Sequence, residues 1–128
     1  MTKVLFVEDD AWLAELEAAI LTAAGYDVTL TPHGFAAIEQ VDKTLPDVII
    51  LDVLLTGTTA FTLLHELQSY SDTNTIPVIL CTNMADQFDL PRLKPYGVRR
   101  LIDKMTMHPD DLVAAVRAVN DGVKASKS

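Results

Sequence analysis

The chain has a single cysteine, Cys81, among its 128 residues. No disulfide framework can form, so the fold must hold by its core, and a reducing compartment suits it. Cys81 lies inside an apolar segment and reads as a small core residue. Positive charge is also scarce: 10 Lys and Arg against 18 Asp and Glu leave a net charge of −8. That balance argues against wholesale binding to nucleic acid or anionic membranes, while leaving room for a local basic patch. No apolar run is long enough to span a bilayer, and the first, Val4 to Val7, is short and ends in acid. His65 and His108 lack partners at metal-ligand spacing, which speaks against zinc. Repeats, low-complexity runs and internal linkers are missing too. The expectation is a soluble, cytoplasmic, single-domain protein.

Apolar residues, at 49 % of the chain, are abundant enough for a real core. The most informative stretch is Pro46 to Leu55, in which Val48, Ile49, Ile50, Leu51 and Val53 are interrupted only by Asp52. Such a run reads as a parallel strand buried on both faces. An ionised carboxylate is tolerated there only where the strand ends and a cation meets it. Ligands of open parallel sheets sit at the carboxyl ends of strands, so Asp52 is a functional candidate by placement.

The rest of the chain alternates strand and helix. Val4 to Val7 is a strand, and Asp10 caps a helix with Leu13, Leu16, Ile20 and Ala24 on its apolar face, stopped by Gly25. Tyr26 to Leu30 is a second strand. His33 is a turn residue ahead of a helix carrying Ala37, Ile38, Val41 and Leu45. After the third strand comes a helix with Phe61, Leu64 and Leu67 on one side, then a strand from Ile76 to Cys81. Pro91 and Pro95 forbid a long helix between Asp86 and Tyr96, but Asp89 can cap a short one with Pro91 in its first turn. Val98 to Ile102 is strand five, and a last helix from Pro109 buries Leu112, Val116, Val119 and Val123. The domain is expected over 1–123, with a polar tail, 124–128, that frays. Five strands alternating with five helices imply an α/β protein, a doubly wound parallel sheet.

Four strand ends carry polar groups that packing does not require: Glu8-Asp9, Asp52, Thr82 and Asp103-Lys104. Brought to one edge, several carboxylates cannot all ionise unless a cation joins them. Hard oxygen ligands with an open side suit Mg²⁺, and Lys104 and Thr82 could bind the oxygens of a phosphoryl group. Asp52 would then be a carboxylate nucleophile that forms an acyl phosphate.

With these motifs in place, Val4-Leu-Phe-Val-Glu8-Asp9-Asp10, Pro46 through Asp52, Ile76 through Thr82, and Gly97 through Lys104, the chain resembles the receiver domain of two-component response regulators over nearly its whole length. The resemblance, nearest to the single-domain chemotaxis-regulator type, implies a flavodoxin-like sheet of order 2-1-3-4-5. It implies that Asp52 takes a phosphoryl group from a histidine kinase's phosphohistidine. It implies Mg²⁺ bound by Asp9, Asp52 and the backbone carbonyl of Leu54, with Glu8 acting through water, and Thr82 and Lys104 on the phosphoryl oxygens. Such a domain is a phosphoacceptor and not an enzyme in the usual sense. Phosphorylation would shift an equilibrium between two states of the face formed by helix four, strand five and helix five.

Several positions depart from the family pattern. Thr56 replaces a usual proline and Ala60 a usual glycine, so the loop after Asp52 is expected to take its own path. Met105 follows Lys104 in place of a proline whose preceding bond is typically cis. A cis bond before Met would cost about 2.5–4 kcal/mol, so a trans bond with Lys104 shifted and the loop repositioned is expected. Leu101 occupies the place of the family's switch Tyr or Phe, without the ring's area or polar tip. Leu54 and Met84 are apolar where the family controls water's access to the phosphoryl group, which predicts slow self-dephosphorylation.

Arg92, Lys94, Arg99 and Arg100 cluster in the output segment of this acidic chain, as a solvated face or as a docking patch for an acidic partner. Trp12, beside the acidic cluster, could report on metal binding. The expected partners are a histidine kinase or phosphotransfer protein and a downstream protein target, with a homodimer on phosphorylation left open. Direct contact with nucleic acid is not expected of this domain. Three alternatives stand beside this reading. One is a receiver cut from a longer regulator with a DNA-binding or enzymatic output domain. Another is a phosphorylation-independent interaction module. The last is a flavin-binding protein, which the position of Thr56-Gly57-Thr58-Thr59 after strand three disfavours.

Overall fold

The structure is a computed structural model, and it describes residues 1–52 and 60–127. The elements are β1 (Lys3–Val7), α1 (Ala11–Ala23), β2 (Asp27–Thr31), α2 (Gly34–Thr44), β3 (Val48–Leu51), α3 (Ala60–Gln68), β4 (Val78–Thr82), α4 (Leu90–Leu93), β5 (Val98–Asp103) and α5 (Asp111–Lys127). Short 3-10 turns at Ala85–Gln87 and Lys94–Tyr96 flank α4. All neighbouring strands pair parallel, in the order β2-β1-β3-β4-β5, as the resemblance implied.

The period-2 geometry of the strands divides the core in two. Leu5, Val7, Ile49, Leu51, Val78 and Leu80 face α2, α3 and α4, where Ala37, Val41, Leu63, Leu64 and Leu93 meet them. Val4, Phe6, Val48, Ile50, Ile79 and Cys81 face α1 and α5, against Leu21, Leu112, Val116 and Val119. Every residue of β3 is buried on one face or the other. Each such Val, Ile or Leu side chain contributes roughly 1.5–3 kcal/mol. The side chain of Val123 and the residue Val53 lie outside the described residues.

Local chemistry accounts for the element limits. Asp10 caps α1, its Oδ1 accepting from the backbone N–H of Trp12 and Leu13. Gly25, at φ +99°, ends that helix in the left-handed conformation that glycine adopts most readily. β4 starts after Pro77, which has no N–H to donate into a ladder, so the strand begins later than Ile76. Asp89 stands at the N-cap of α4 with Pro91 in its first turn, although its side chain makes no capping bond.

Three expectations are corrected. The buried face of α1 is Ala14, Glu17 and Leu21, while Leu16 and Ala24 are exposed. The true stripe is turned by about one residue, because apolar side chains nearly surround this helix and the sheet accepts the small Ala14. Leu45 is exposed and caps α2 in the left-handed region, φ +44°, where the chain must turn toward β3. His33 is the N-cap of α2: its Nδ1 accepts from the Ala36 N–H at 3.3 Å.

Candidate functional site

Parallel register brings four strand ends to one edge. Val7 pairs with Leu51, Leu51 with Leu80, and Thr82 with Asp103. The residues at or just past these ends are Glu8, Asp52, Thr82 and Lys104. The backbone N–H of Lys104 donates to the Thr82 carbonyl at 3.0 Å, extending the ladder by one bond and fixing where the lysine side chain departs. Its ammonium then reaches across the edge. Lys104 Nζ donates to Asp52 Oδ2 at 2.7 Å and to Glu8 Oε1. Such charge-assisted bonds are roughly twice as strong as neutral ones.

The expected displacement of Lys104 therefore does not take it out of the crevice, and no cis peptide bond occurs among the described residues. The bond from Lys104 to Glu8 was not foreseen in the sequence. The signal was there: buried like charges need a cation, and Lys104 is the cation at these strand ends.

The electrostatics follow from burial. Asp52 is 9 % exposed, Glu8 3 % and Thr82 1 %. Burial pushes the Glu8 carboxyl above its ordinary pKa despite the Lys104 ammonium, which it shares with Asp52. Burial pulls the Lys104 ammonium down, but its hydrogen bonds to Asp52 and Glu8 outweigh that and hold it above its ordinary value. The two hydrogen bonds thus keep Lys104 cationic beside the buried Glu8 carboxyl. Glu8 Oε2 is buried and has no hydrogen-bond partner.

The acidic triplet divides its labour. Glu8 enters the crevice, Asp9 is exposed at its rim, and Asp10 is committed to capping α1. The Thr82 hydroxyl accepts from the Met84 N–H at 3.1 Å, a local turn that aims the hydroxyl and places the half-buried Met84 nearby. Leu54, whose carbonyl was expected to bind metal, lies outside the described residues, as do Thr56, Gly57, Thr58 and Thr59. Ala60 is buried at the start of α3.

These groups fit a small hard cation. Two carboxylates share one ammonium, a third stands at the rim, and a buried carboxylate oxygen lacks a partner. Among the described residues no three His, Cys, Asp or Glu side chains form a ready metal cage. Mg²⁺ takes one or two carboxylates and keeps several waters, and Asp9 and Asp52 are the carboxylates that would hold it here. The arrangement offers a nucleophilic carboxylate, a fixed cation and a hydroxyl at one water-facing edge, a set matched to phosphoryl transfer.

The remaining candidates sit elsewhere. Arg92, Lys94, Arg99 and Arg100 are exposed, around α4 and along β5. Arg92 pairs with Asp89 at 3.8 Å on an exposed surface, a contact of little energetic weight. Leu101 is half-buried against the cluster that contains Leu80 and Val98. A groove of about 530 Å³ between β5 and α5, lined by Arg100, Ile102, Met107 and Ala115, runs beside the crevice and not into it. No helix among the described residues is long and apolar enough to cross a membrane.

Comparison with known proteins agrees with this geometry. The family model for the response regulator receiver domain matches residues 4–117. The chain is 34 % identical over 117 residues to the transcriptional regulatory protein BaeR of Escherichia coli O6:H1, covering 91 % of this chain and 47 % of that protein. It is 35 % identical over 121 residues to the transcriptional regulatory protein CseB of Streptomyces coelicolor, covering 92 % and 49 %. The solved signal receiver domain of a signal transduction histidine kinase from Syntrophus aciditrophicus superposes with a TM-score of 0.84 at 33 % identity, over 97 % of this chain and 93 % of that one. The chain spans about half the length of the curated relatives it matches.

Proposed function

Since this chain belongs to the response regulator receiver family, we propose that Asp52 accepts a phosphoryl group from the phosphohistidine of a histidine kinase in an Mg²⁺-dependent step. The observation that carries this reading is the Lys104 ammonium held 2.7 Å from Asp52 Oδ2 at the end of a buried strand. A carboxylate oxygen of Asp52 forms a bond to phosphorus as the P–N bond to the imidazole breaks, and the imidazole leaves with the electron pair and takes up a proton. The product is an acyl phosphate. Lys104, already charged, neutralises the phosphoryl oxygens, and the Thr82 hydroxyl, whose oxygen accepts from the Met84 N–H, donates its hydrogen to them. Asp9 and Asp52 would hold Mg²⁺ directly, with the Leu54 carbonyl, and Glu8 through water. The metal supplies charge neutralisation that lets an anionic donor approach an anionic acceptor.

The acyl phosphate persists in this reading. Met84 can neither orient nor deprotonate water, and the same holds for Leu54, so self-dephosphorylation is slow. Met84→Glu is expected to speed phosphoryl loss by at least about tenfold. Loss followed by intact mass, at an unchanged or slower rate in that variant, would count against the water-exclusion account.

Phosphorylation is read out on the face of α4, β5 and α5, where Arg92, Lys94, Arg99 and Arg100 suit an acidic protein surface. A homodimer through this face is a second arrangement of the same readout. The names of the transcriptional regulatory proteins BaeR and CseB, each roughly double this chain in length, favour control of a transcriptional output as the downstream consequence.

Intact mass after incubation with Mg²⁺ and phosphoramidate tests the chemistry. The expected result is a gain of one phosphoryl group, abolished by EDTA and by Asp52→Asn. A gain that survives in Asp52→Asn would move the acceptor elsewhere. A folded chain that gains nothing would favour a phosphorylation-independent binding module.

A further inference from the structure

Three segments lead away from the crevice: α3, which follows β3 in the chain; the stretch after Thr82 through the Ala85–Gln87 turn to α4; and the Lys94–Tyr96 turn, which feeds β5 and Lys104. One set of ring contacts joins all three. Phe61, in the first turn of α3, has its ring centroid 5.9 Å from that of Phe88, tilted at 40°. The same ring lies 6.3 Å from Tyr96, edge-on at 74°. Phe88 closes the turn after Thr82, its N–H donating to the Ala85 carbonyl. Tyr96 precedes Gly97, whose φ of +87° lets the chain reverse into β5.

The rings differ from the core in how firmly they are held. Leu64, Leu80 and Val98 are fully buried and can shift only by leaving a void. Phe61 and Phe88 are half-buried and Tyr96 is exposed, so each can exchange one packing for another at small cost. Phe88 is also tied to the chemistry. The Met84 N–H donates to Thr82 Oγ1, and the Gln87 N–H donates to the Met84 carbonyl. Displacement of Thr82 Oγ1 toward a phosphoryl oxygen would pull on the Met84 N–H that it accepts from, and so on the turn that carries Phe88. Leu101 packs, half-buried, on the cluster that Phe61 and Phe88 also border.

Resting on the reading of Asp52 as phosphoacceptor, we propose that Phe61, Phe88 and Tyr96 form the aromatic link through which phosphorylation repositions the segment from Ala85 to Tyr96. The rings couple a discrete event at one strand end to α4, which bears Arg92, and to the turn that bears Lys94. That coupling requires two arrangements of the rings with different contacts, which half-buried edge and tilted pairs permit.

Hydrogen exchange measured by mass spectrometry on the phosphorylated chain, with intact mass read on the same sample, tests the link. In the wild-type chain, phosphorylation changes exchange across residues 85–97. Phe61→Leu and Phe88→Leu keep apolar bulk and take up the phosphoryl group fully, but lose ring contacts that each shift a two-state balance by about two- to tenfold. Their response in residues 85–97 falls accordingly, while Tyr96→Phe, which keeps its ring, responds as the wild type does. A full response in both Leu variants overturns the link. So does a wild-type mass gain with no response in residues 85–97. No wild-type mass gain overturns the reading of Asp52, and this proposal with it.

Discussion

Glu8 and Glu17 are buried to the same extent, each 3 % exposed, and each has one oxygen buried without a partner. Burial raises the pKa of both. Their company differs. Glu8 stands at a strand end with the Lys104 ammonium against it. Glu17 lies inside α1, where the acidic groups that face it, Asp111 and Asp110, push its carboxyl further up. The first carboxylate sits in a crevice able to hold a cation and an anion together. The second sits in a seam between helices where no described cationic side chain pairs with it. Burial alone thus does not set Glu8 apart from Glu17; the paired cation and the strand-end position do.

Removing the shared cation is the largest test of that contrast. Lys104→Met leaves Glu8 and Asp52 facing each other uncompensated and is expected to lower stability by about 2 kcal/mol at neutral pH. That is less than a fully dry pair would cost, because the Lys104 and Asp52 side chains keep 10 % and 12 % of their surface. Urea melts read the loss, and adding Glu8→Gln should return most of it. If Lys104→Met melts as the wild type does, the crevice is not held by this pair.

Glu17→Leu works in the opposite direction. Replacing an unpaired buried carboxyl by an apolar side chain is expected to add about 1 kcal/mol at neutral pH. The pH dependence follows from linkage. The folded chain binds the Glu17 proton more tightly than the unfolded chain, so its contribution is intact below the ordinary glutamate range and is lost as pH rises through the raised folded value. The difference in stability between wild type and Glu17→Leu should therefore widen from acid to neutral pH. A difference that is flat in pH would mean Glu17 stays ionised or finds a partner in solution.

The smallest effect concerns Cys81, which lies in the same apolar layer as Leu21 and Val116. Burial pushes its thiol up to about 12, against the opposing charge of Lys104. Iodoacetamide at pH 8 should leave the native chain unmodified and alkylate it once unfolded. Rapid native alkylation would show that this layer opens.

The strand-end residues were legible because a carboxylate, hydroxyl or lysine following an apolar strand has few structural reasons to be there. Parallel order then does the rest: Val7, Leu51 and Leu80 in register bring Glu8, Asp52 and Thr82 to one edge. The face of α1 was not legible. Ala14, Leu16, Ala18 and Leu21 give apolar stripes a residue apart, and only packing on the sheet chooses between them. For the same reason nothing in the sequence marks Glu17 as buried. His33 was hidden because a histidine cap has no pattern beyond a polar residue before a helix. The Phe61, Phe88 and Tyr96 contacts join residues far apart in sequence, so no local periodicity announces them.

The central claim is that Asp52, and no other carboxylate of the crevice, receives the phosphoryl group. Borohydride reduces an acyl phosphate to an alcohol and would turn a phosphorylated aspartate into homoserine, which peptide mass mapping locates. After treatment with Mg²⁺ and phosphoramidate, homoserine is expected at position 52 alone, and in none of the peptides when EDTA is present. Homoserine at position 9 or 10, or an unmodified position 52 in a chain that has gained one phosphoryl mass, would contradict the assignment.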